Sequence, residues 1–128
     1  MSKWLKFLAL PTITLLAVGA GCGSPAVPSD AQTTPEKVVE TFYQAMMAGD
    51  DNAALAVVPD DVEATDDFQD TWQEVSTWTY NAVTVGTYAD GFVEVEFDVT
   101  VEGDQDSGTD QVEVKQIDGK WWVTDVPR

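Results

Sequence analysis

The chain has 128 residues, 23 of them acidic and six basic, for a formal net charge of −17, with no histidine and a single cysteine. These numbers exclude imidazole catalysis, histidine-ligated metals and an intrachain disulfide, and the scattered Lys37, Lys115, Lys120 and Arg128 are too few to track a nucleic-acid backbone. About 95 residues follow the leading segment, room for one domain that buries roughly 65% of its unfolded surface around the aromatic side chains the chain supplies.

Residues 1–21 open with Lys3 and Lys6, continue through a mostly apolar run from Phe7 to Val18, and close on Gly19, Ala20 and Gly21. That layout predicts a secretory signal peptide: the apolar run is short for a bilayer span and Pro11 interrupts it. Without those two lysines the remainder stands at −19. A charge excess of this size repels itself, which predicts a salty working medium that screens the repulsion.

Cys22 comes next, and Ala20-Gly21-Cys22 resembles the end of a bacterial lipoprotein signal, although Gly19 stands where that pattern prefers leucine. The resemblance implies that the Cys22 thiol is diacylated, that palmitate-type chains hold the protein on the bilayer, and that Gly23 directs it to the outer membrane of a two-membrane cell. Cleavage after Ala20, leaving Cys22 as a free thiol, is the competing reading. Gly23 to Asp30 has no hydrophobic period, and residues 22–33 read as a lipidated start plus flexible tether.

A domain over residues 34–128 follows. Thr34 is an N-cap, Pro35 suits the first helical position, and Gly49 suits a left-handed stop, so Thr34 to Gly49 predicts an amphipathic helix with Val38, Phe42, Ala45 and Met46 on its apolar stripe. Asp50 or Asp51 predicts a short second helix over Asn52 to Val57, ended by Pro59. Thr65 caps a third, with Phe68, Trp72 and Val75 on one side. From Thr77 onward the pattern is β. Thr77 to Tyr88 is one strand, Asp90-Gly91 a hairpin turn, and Val93 to Val101 alternates valine or phenylalanine with Glu94, Glu96, Asp98 and Thr100. Glu102 to Gly108 reads as a loop, Thr109 to Ile117 as a strand, and Asp118-Gly119 as the turn into Lys120 to Val126. The expected fold is α+β, with N-terminal helices packed on the apolar face of a four-stranded antiparallel sheet.

The run Thr34 to Tyr43, then Ala48-Gly49-Asp50 and Ala53-Ala54-Leu55, resembles the opening of the nuclear transport factor 2-like superfamily. Asp118-Gly119-Lys120-Trp121-Trp122-Val123 is similar to the last hairpin of its small lipoproteins, a type classed as a domain of unknown function. The resemblance implies a curved sheet wrapped round the first helix as a cone. It leaves function open among isomerases, dehydratases, binding modules and assembly domains.

Enzymes of that superfamily place an Asp or His beside a Tyr inside the cone, whereas the inward positions from Val93 to Val101 carry no acid. Tyr43, Trp78 and Tyr80 are the candidate lining of a ligand cavity. Asp104, Asp106 and Asp110 put oxygen ligands at alternate positions, but glycine comes early for a calcium loop and Lys115 stands where its closing glutamate belongs, so a solvated loop is expected, with no metal and no cofactor. Glu94, Glu96 and Asp98 form a solvated outer row, with Glu113 and Lys115 expected near it. Trp121-Trp122 sends one indole to each side of its strand, the exposed one a candidate ligand mouth or partner patch. The reading is a membrane-anchored envelope lipoprotein serving as a non-catalytic binding or assembly module, partnered by the bilayer and by an envelope protein or a second copy. The alternatives are a carrier of a small hydrophobic ligand and an isomerase- or dehydratase-like enzyme.

Overall fold

The computed structural model describes residues 30–127. The signal-like segment, Cys22 and most of the tether lie outside the described residues. Four short helices precede four strands: α1 (Pro35–Met47), α2 (Asp51–Leu55), α3 (Asp60–Glu63), α4 (Asp66–Val75), β1 (Thr79–Ala89), β2 (Phe92–Val101), β3 (Asp104–Ile117) and β4 (Lys120–Asp125). The strands form one open antiparallel sheet in sequence order.

Both ends of α1 follow from its cap residues. The Thr34 hydroxyl accepts from the Lys37 N–H. At the other end Gly49 takes φ +73°, letting the Asp50 N–H reach the Ala45 carbonyl and the Gly49 N–H reach that of Met46. The predicted stripe is buried, and Val39 and Tyr43 are buried with it. This face lies across all four strands. From the same stripe α1 also meets α4, where the Phe42 ring stands edge-on to Trp72 at 6.2 Å.

Asp50 caps α2 through the Ala53 N–H, but the helix ends at Leu55, short of the expected Val57. Pro59 does not close it; it is the N-cap residue of α3, a single turn with no buried side chain and hence no apolar period to announce it. Thr65 caps α4 as its sequence indicates.

All three hairpins turn on two residues with positive φ: Asp90-Gly91, Glu102-Gly103 and Asp118-Gly119. The middle one corrects the expected loop. Glu102-Gly103 reverses the chain by itself, so Asp104 to Gly108 is strand, paired with Val101 to Phe97. Interruptions at Asn81 and near Gly86-Thr87 bulge β1, and such bulges bend a strand. Glu36 on α1 accepts from the Tyr88 N–H at the second bulge.

The outer edge of β4 is covered. Its Trp121 N–H donates to the Gln32 carbonyl and its Val123 N–H to that of Val57. Gln32 also donates its side-chain amide to the Trp121 carbonyl, and Ala31 is buried. Residues 30–33, expected to belong to the tether, are therefore docked on the domain.

Candidate functional site

Residues directly paired across an antiparallel ladder project on the same side of the sheet, so register decides what shares the helix-covered face. On β2 the inward row is Val93, Val95, Phe97, Val99 and Val101. Its β3 partners are Val112, Asp110, Gly108, Asp106 and Asp104. The inner face thus changes character along β3, from buried valines to exposed acids. Sequence reading placed no acid on this face; β2 contributes none, but the neighbouring strand contributes three. Counting back by twos from Val112 reaches all of them. The polarity of that stretch and the Glu-Gly turn before it disguised the strand.

Beyond the reach of α1 the inner face is open, forming a groove of about 720 Å³. Trp78, Phe97, Val99 and Val101 form its apolar floor and wall. Asp104, Asp106 and Asp110 line the opposite side, with Gly108 between them leaving open space over Phe97. Of the three aromatic residues expected to line a cavity, Trp78 does so. Tyr43 and Tyr80 are only 1% and 6% exposed and lie beneath, joined to the groove through Phe97 at 6.3 and 6.4 Å.

Asp106 and Asp110 each use one carboxylate oxygen to accept from the next residue's N–H, that of Ser107 and Gln111. β4 pairs only with Glu113 to Ile117, so these carboxylates cap a strand edge that β4 does not cover. Asp104 to Asp110 is strand, not the loop that the calcium reading supposed. Among the described residues no cluster of three or more acidic or cysteine side chains is placed to hold a metal ion.

The Tyr43 hydroxyl is buried without a hydrogen-bond partner. Burial pushes its ionisation well above the ordinary phenol range, with the neighbouring Tyr80 and the Asp110 carboxylate adding to the effect. Burial likewise raises Tyr80. A buried, unpaired hydroxyl costs about 1–3 kcal/mol. Tyr43→Phe is therefore expected to raise stability by about 1 kcal/mol in urea unfolding, whereas a loss of that size would mean that the hydroxyl has a partner.

Alkaline pH gives a separate check. Both folded-state values are raised, so the stabilisation is complete below the unfolded phenol value of about 10 and declines as pH rises above it. Tyr43 alone is expected to lower the unfolding free energy by about 1.4 kcal/mol per pH unit between about pH 10 and its folded value. A wild-type protein and a Tyr43→Phe variant with equal slopes would contradict this.

On the outer face, Glu94, Glu96 and Asp98 oppose Gln111, Thr109 and Ser107, not Glu113 and Lys115 as anticipated. Neutral partners relieve the row: the Gln105 amide donates to both Asp98 oxygens at 2.9 Å, and Asn81 donates to Asp98 and Thr100. Lys115 lies across from Trp122, and Glu113 accepts from the Thr124 hydroxyl. Trp121 packs inward against the Tyr88 ring at 5.2 Å, while Trp122 is half-buried on the other side with its indole N–H unpartnered.

Among the described residues no helix is long and apolar enough to cross a membrane. No known family model matches the chain, and no curated protein matches it in sequence.

Proposed function

We propose that the chain is a lipid-anchored, extracytoplasmic binding module of the nuclear transport factor 2-like type, held to the envelope through Cys22 and without catalysis of its own. The observation that carries the binding role is the groove: an inner sheet face with an apolar floor that α1 leaves uncovered, bordered by carboxylates of β3. The capped α1 across the inner face and the bulged β1 support the cone-like reading. Against catalysis stands the character of Tyr43, whose hydroxyl is inaccessible and whose proton is held more tightly than usual.

Full-length protein purified from its own membranes should carry a small molecule in its native mass spectrum. Gly108→Phe places a ring over Phe97 where there is open space, at a position without positive φ, so it is expected to fold normally and to purify empty. Wild type without a bound species, or a Gly108→Phe variant that retains it, would contradict the groove as the binding site.

A further inference from the structure

We infer that the β3–β4 hairpin sets Lys115, Ile117, Lys120 and Trp122 into the headgroup layer of the bilayer and turns the groove away from it. This rests on the anchoring at Cys22 in the proposed function.

Three observations converge on one end of the domain. The first is shape. The Val114 N–H donates to the Gly91 carbonyl in the β1–β2 turn, and β3 runs on to Ile117, so the hairpin reaches about 10 Å past that turn. Lys115 lies across from Trp122 and Ile117 across from Lys120, which puts all four on one side of the hairpin.

The second is chemistry. The described residues carry 23 carboxylates and three lysines, yet Lys115 to Trp122 holds two of those lysines against Asp118 alone. Ile117 is exposed at the tip, and the exposed Tyr88 and Phe92 flank the β1–β2 turn at the same end of the sheet. An aliphatic tip between lysines, with an indole behind it, suits a headgroup layer: the apolar group sinks toward the acyl chains, the lysines reach the phosphates and the indole sits between. Of the other carboxylates at this end, Glu113 accepts from Thr124, Glu36 accepts from the Tyr88 N–H and Asp30 pairs with Lys37, while Asp90 and Asp118 stand in the turns themselves.

The third is where the chain enters the domain. Gln32 is bonded to Trp121 and Lys37 reaches Asp30, so entry is beside this hairpin. The eight residue steps from Cys22 to Asp30 span at most about 28 Å. An acylated Cys22 therefore keeps the hairpin within reach of the bilayer. Trp78 and Glu102, which line the groove, lie at the opposite end of the sheet, so its mouth stays open to solution.

The test is electron paramagnetic resonance on the acylated protein in vesicles of phosphatidylethanolamine and phosphatidylglycerol at about 0.15 M NaCl, where charges more than about 8 Å apart are screened. Acylation blocks the Cys22 thiol, so a nitroxide label goes to Ile117→Cys or, at the groove end, to Thr79→Cys, both exposed positions. The Ile117→Cys label is expected to collide severalfold less often with a water-soluble nickel chelate than the Thr79→Cys label. Lys115→Glu/Lys120→Glu in the Ile117→Cys background should restore the collisions. Equal collision rates at the two sites, or a charge-reversed hairpin that stays shielded, overturn the inference. Spin–spin broadening between Ile117→Cys labels also overturns it, by putting a second copy of the chain on the hairpin.

Vesicle flotation separates this result from the proposed function. Protein that floats with the vesicles while both labels stay open to nickel keeps the anchor and loses the docked hairpin. Protein that stays behind with a free Cys22 thiol loses both. Circular dichroism of each variant confirms that it is folded.

Discussion

Phe42→Ala is expected to cost about 3–5 kcal/mol, the range for removing a fully buried aromatic ring. Phe42 is 1% exposed on α1, with its ring edge-on to Tyr43 at 5.1 Å and to Trp72 on α4. It joins the α1–sheet layer to α4. Because domains of this size are stable by only about 5–15 kcal/mol, the variant should lose much of its margin and melt about 15–30 °C lower. Met47, further along the same helix but 46% exposed, is the control, and Met47→Ala should stay within about 0.5 kcal/mol. Equal costs at the two positions in urea unfolding would contradict the packing described.

Salt should act on the whole domain. All 23 carboxylates fall among the described residues, and Lys37 is shared between Asp30 at 3.7 Å and Glu40 at 3.9 Å, exposed pairs of little individual worth. Repulsion on the compact state therefore exceeds local pairing. Raising NaCl from about 0.05 M to about 1 M shortens the Debye length from roughly 14 Å to 3 Å, and a relief of about 2 kcal/mol would raise the melting temperature by about 10 °C. The rise should be smooth and should follow ionic strength when KCl replaces NaCl. A flat response would mean that the acidic surface imposes no cost, and the expectation of a salty working medium would go with it.

Where physical signals were strong and local, the fold was readable from the chain. α1 and α4 begin where Thr34 and Thr65 say they should, because an N-cap hydroxyl competes with nothing else at those positions. The Val93 to Val101 alternation was equally plain. What stayed hidden depended on tertiary pairing. Asp104 to Gly108 has the composition of a loop, and it becomes strand because β2 offers it a ladder; Glu102-Gly103 lacks the Asp-Gly or Asn-Gly wording that announces such a turn. That one misreading concealed the groove. As a loop, Asp104, Asp106 and Asp110 were a solvated cluster; as a strand in register with Val101, Val99 and Val95, they stand on the inner face beside an apolar floor. α3 went unseen for the opposite reason, since a four-residue turn with no buried side chain has no period to detect.

The account rests on the groove being the working face of the domain. The most direct measurement is a map of backbone amide shifts in nitrogen-15-labelled protein during titration with the neutral fluorophore N-phenyl-1-naphthylamine. The predicted result is saturable shifts concentrated at Trp78, Phe97 to Val101 and Asp104 to Asp110, with the outer Glu94 and Glu96 little changed. Shifts spread over the outer row and the helices, growing without saturation, would show nonspecific association and contradict the claim.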